Sequence, residues 1–148
     1  MENIVNYKNI ANNDHAFLSD AIDKAIECGN APLRIPSLAS EVCEKFLKHI
    51  INEYCHPETN EEMYMKEKIL HSHSLRNLLD YVENAGFEVS DDTRDKIIKI
   101  DGLYFNTRYP SEDFHLTTMK DIKDSKNAMD EAKRYVEEIE AKIAETGK

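Results

Sequence analysis

The groups in this chain that can do chemistry are few. An arginine and a histidine, Arg108 and His115, stand with six residues between them. Such a pair can cleave RNA without a metal. The guanidinium stabilises the charge that builds on the phosphorus centre, and an imidazole with an ordinary pKa of about 6.5 acts as general acid or base. Pro110 falls between the two, so they cannot share one unbroken helix. The preferred reading is that Arg108, just before Tyr-Pro, anchors a turn. Tyr104, Phe105 and Tyr109 surround the same arginine. Rings beside a guanidinium hold a nucleotide base by stacking and charge; the competing and preferred assignment is a small aromatic core that closes the end of a fold. His73 stands at a helix start. There it can touch a nucleotide, or serve as a cap or packing residue. The second role is preferred, because no carboxylate lies close to it in sequence.

Other chemistries lack their residues. Cys55, His56, His71 and His73 match no zinc spacing, and on a helix His71 and His73 point to different faces, so no metal is expected. Cys28, Cys43 and Cys55 are an odd number with no CxxC pair, which fits idle thiols in a reducing cytoplasm. There is no GxGxxG, no GxxxxGK and no nucleophile motif, and no cofactor is expected. A net charge of −10 opposes the phosphate backbone, so DNA binding is not expected and RNA or nucleotide needs a local site. The cations Arg94, Lys96, Lys99 and Arg108 are interleaved with Asp91, Asp92, Asp95 and Asp101 and make no basic patch. No stretch approaches the roughly 18 apolar residues of a membrane span. The N-terminus lacks the basic-then-apolar order of a signal peptide, so a cytoplasmic location is expected.

The elements that must carry these groups are helices. Only four glycines and four prolines interrupt 148 residues, enough for one domain with a real core. Phe17, Leu18, Ala21, Ile22, Ala25 and Ile26 form one face of a helix from about Asn13 to Cys28, stopped by Gly29. Pro36 opens a second, whose broad stripe from Leu38, Ala39, Val42 and Cys43 through Phe46, Leu47, Ile50 and Ile51 to Tyr54 predicts a central position. A short helix is expected over Glu61–Leu70 and a stronger one over Ser74–Ala85. Ser90 caps another, carrying Ile97, Ile98, Ile100, Leu103 and Tyr104, which Pro110 ends. The last spans about Thr117 to Ala144. Its heptad-like seam of Ile122, Ser125, Met129, Ala132, Val136, Ile139 and Ile143 is long for a small bundle, so its end either projects or pairs two copies. The fold class is all-α: an antiparallel bundle of about five helices, one domain over 1–148 with the ordered bundle at about 14–144.

Three segments, in order, resemble the HEPN family. Glu41-Val42-Cys43-Glu44-Lys45-Phe46-Leu47-Lys48 is similar to its Q-A-x-E-K-x-L-K helix, with Glu41 where Gln is usual. His73-Ser74-Leu75-Arg76-Asn77-Leu78-Leu79 resembles H-x-L-x-x-L-L, and Tyr104 to Pro110 resembles Y-x-x-x-R-Y-P. The resemblance implies an up-and-down helical bundle that pairs as a homodimer. It implies a non-catalytic accessory domain that binds nucleotide, through His73, Tyr104, Arg108 and Tyr109, or binds a nucleotidyltransferase partner. Its alternative is a metal-independent ribonuclease toxin of a toxin–antitoxin module, with Arg108 and His115 catalytic.

Overall fold

Why each helix begins where it does is visible in its caps. The computed structural model describes residues 6–103 and 116–146. Among these residues there are six helices and no strand: α1 (Tyr7–Cys28), α2 (Ile35–Tyr54), α3 (Asn60–Ile69), α4 (Leu75–Asn84), α5 (Asp91–Ile98) and α6 (Met119–Thr146). The Asn6 side chain accepts from the Asn9 N–H and starts α1 at Tyr7, two turns before the expected Asn13, in a stretch too polar to show an apolar period. Gly29, at φ 72°, ends the helix as expected. Thr59, Ser74 and Ser90 cap α3, α4 and α5 in the same way as Asn6. Helix α5 stops at Ile98, short of its expected reach. The chain turns there, through Gly102 at φ 91°, and Ile100 is buried from the turn.

Helix α2 occupies the centre and packs against α1, α4 and α6. Phe46, Leu47, Ile50 and Ile51 are all but inaccessible, as are Ile22, Leu78, Leu79, Ile97, Ile122 and Met129 around them. Tyr135 is buried with them and donates its hydroxyl to the Glu88 carbonyl at 2.8 Å, which meets the rule that interior polar groups find partners. Full burial of such side chains contributes about 1.5–3 kcal/mol each.

Two parts of the expected core face outward. Helix α1 buries Ala11, Leu18, Ile22 and Ala25, a narrow stripe that leaves Phe17 75% exposed and Ile26 also at the surface. Leu38 on α2 is exposed as well. By contrast, the α6 seam from Ile122 to Ile139 is buried within the chain itself, against α2, α5 and α1. Helix α3 buries no side chain. It is held as a helix by its Thr59 cap, by Glu61 and Glu62 in its first turn and by Lys66 and Lys68 in its last. No helix among the described residues is long and apolar enough to cross a membrane.

Candidate functional site

The central helix is not apolar all round. Ser37, Ser40, Glu44 and Lys48, spaced three, four and four residues apart, form a polar line down one side of α2, and all four are buried. His73 meets this line from the turn before α4. Its Nδ1 lies 3.1 Å from Glu44 Oε1, and Lys48 Nζ lies 3.9 Å from Glu44 Oε2. A carboxylate accepts only, so the His73 Nδ1–H donates and the ring's orientation is fixed. The imidazole is half-exposed, whereas Glu44 and Lys48 are nearly covered. Burial pushes the Glu44 carboxyl up from its ordinary value, against the pull of Lys48 and His73. Burial likewise pushes the Lys48 ammonium down, against the pull of Glu44.

Lys48 is poorly served. An ammonium has three donors, yet among the described residues Lys48 has no hydrogen bond, and its carboxylate is too distant for one. Ser40 Oγ, about two turns back along the line, is buried without a partner among the described residues. Beside them, the positive end of α4 is already neutralised. The Asp101 carboxylate accepts from the Leu75 N–H at 2.9 Å and the Arg76 N–H at 3.2 Å, and Ser74 accepts from Asn77.

Sequence spacing hid this site. No carboxylate lies close to His73 in sequence; the one that seats it stands 29 residues away on another helix and is brought there by the packing of α2 on α4. The signal available was Glu44 and Lys48 one turn apart inside the most apolar segment of the chain. Of the other candidate residues, Tyr104, Arg108, Tyr109 and His115 lie outside the described residues. His71, in the turn after α3, folds back onto that helix with its Nδ1 2.9 Å from the Glu67 carbonyl, and is not joined to His73. Cys55 is buried.

Two further polar clusters are structural. Glu140 on α6 accepts from Lys8 Nζ at 2.5 Å, Tyr54 Oη at 2.7 Å and His49 Nε2 at 2.9 Å, which ties α1 and α2 to α6. Burial alone would raise the Glu140 carboxyl; the bonds from Lys8, His49 and Tyr54 outweigh it and hold the group at about 2. Burial and the bond to Glu140 push Tyr54 up to about 12. On the opposite side, Glu131 accepts from the Thr93 hydroxyl at 2.6 Å and from Arg134, stapling α5 to α6.

A family model of the HEPN domain matches residues 63–145, more than half of the chain. The chain belongs to the HEPN domain family. Comparison with curated proteins and with solved structures returned no match. The HEPN match runs from α3 to α6 and takes in His73, Asp101 and the segment of Arg108 and His115, whereas Glu44 and Lys48 come from the central helix before it.

Proposed function

We propose that this HEPN domain is a non-catalytic accessory domain that binds a nucleotide for a nucleotidyltransferase partner, with Lys48 and His73 meeting the phosphates. The observation that carries the reading is Lys48, whose side chain is mostly covered, whose ammonium makes no hydrogen bond among the described residues, and which stands beside the carboxylate that seats a half-exposed histidine. A phosphate oxygen can supply charge-assisted bonds to both side chains. The strongly acidic remainder of the chain disfavours a long nucleic acid but not a mononucleotide held at one local cation pair. Tyr104, Arg108 and Tyr109 are the stacking and phosphate contacts that the HEPN resemblance adds.

Calorimetric titration with ATP tests this. Each charge-assisted bond contributes about 1.5–3 kcal/mol, so Lys48→Met is expected to weaken ATP at least tenfold while the helical circular dichroism is kept. His73→Ala is expected to weaken it less. Wild-type protein that binds no ATP at millimolar concentration contradicts the proposal. Metal-independent cleavage of single-stranded RNA, lost in both Arg108→Ala and His115→Ala, replaces it with the ribonuclease reading.

A further inference from the structure

Of the six helices among the described residues, α3 alone buries no side chain. Met63, Tyr64 and Met65 stand in solvent, and within the helix only Lys66 and Ile69 are even half-buried. Its polar tie to the bundle, among the described residues, is a single side chain. Lys66 Nζ donates to the Cys55 carbonyl at 2.8 Å and to the Asn52 carbonyl at 3.3 Å. Both carbonyls belong to the end of α2, where the last carbonyls lack partners within the helix and its dipole is negative. The two ends of α3 are held unequally. Ile69 and Leu70 pack against the core, and the turn after them is closed by bonds from the His71 N–H to the Lys68 carbonyl and from the Ser72 N–H to the Ile69 carbonyl. Before α3, His56, Pro57 and Glu58 make no backbone bond to the rest of the bundle among the described residues; the Glu58 N–H donates forward, to Glu62 of α3 itself. Beside the helix lies a cleft of about 290 Å³. Its walls include Tyr54 and Cys55 at the end of α2, Glu62 of α3, and Tyr81 and Asn84 of α4.

We infer that α3 is a hinged flap on this cleft, latched by Lys66 and pivoting at Ile69 and Leu70, and that its opening uncovers the cleft and the buried Cys55 thiol. A segment without buried apolar contacts opens locally, at a free energy well below that of global unfolding. Here the bonds of one ammonium oppose that opening, and the unbonded stretch from His56 to Glu58 gives the moving end its slack. Cys43 supplies the contrast. It is inaccessible on the central helix, within the main core, and is reached when the bundle as a whole comes apart. The two buried thiols therefore report two different openings. This inference does not depend on nucleotide binding.

Peptide-resolved alkylation with iodoacetamide, run beside amide hydrogen exchange, tests it on the full chain. Cys28 is exposed and serves as the unprotected reference. In the wild type, Cys55 is expected to react about tenfold faster than Cys43 or more, and the amides of α3 to exchange before those of α2 and α4. Lys66→Met is expected to speed Cys55 by about tenfold, the weight of one charge-assisted bond, and to leave Cys43 at its wild-type rate. Four results overturn the inference: Cys55 and Cys43 reacting at one rate in the wild type, α3 amides as protected as those of α2, a Cys55 rate that Lys66→Met does not change, or a variant that speeds both thiols equally.

Discussion

Glu44 shows how one buried carboxylate organises its surroundings. It orients the His73 ring from one oxygen and faces the Lys48 ammonium with the other. Removing it leaves a covered cation without its counter-charge, a change that costs about 3–5 kcal/mol in buried pairs. Glu44→Ala is therefore expected to lower stability in urea titrations by about that amount, and a loss under about 1 kcal/mol would show that water reaches Lys48 freely. Glu140 makes the second residue-level case. Its folded value of about 2 lies below its ordinary 4.5. A depressed carboxylate contributes stability that is fully present above the unfolded value and is lost as pH falls through the folded one. The melting temperature is thus expected to fall between pH 4.5 and 2, and Glu140→Gln to flatten that fall while lowering stability at neutral pH. An unchanged acid slope in the variant would place the titrating group elsewhere.

At the scale of the helix, the sequence placed a helix near each of the six described elements, though the bundle was expected to have about five, and it overestimated which residues they bury. The stripe of α2 was legible because nine apolar positions repeat over more than four turns, and its centre is where the structure puts it. The face of α1 was less so: Phe17 and Leu18 are adjacent, a period of 3.6 accommodates either, and only the packing of α2 selects Leu18. The start of α1 was missed because its cap, Asn6, introduces polar turns. Phe46→Ala is accordingly expected to cost about 3–5 kcal/mol in chemical denaturation, while Phe17→Ser is expected to change stability by less than about 0.5 kcal/mol. Comparable losses for both would mean that the two helix faces are misassigned.

For the whole molecule, the family was readable and the site only partly. Three short motifs in order identified an HEPN bundle, which the match over residues 63–145 establishes. His73 was among the candidate residues, yet its partners were not, because contacts between α2 and the turn before α4 are set by how helices pack and not by any local spacing. Under the proposed function, a nucleotide phosphate is held where α2 and that turn meet. Imidazole nuclear magnetic resonance of the six histidines during an ATP titration tests it most directly. The His73 ring signals are expected to move in a saturable way, His49, which is committed to Glu140, to stay in place, and Lys48→Met to abolish the His73 shift. Saturable ATP binding that leaves the His73 signals unmoved would contradict it.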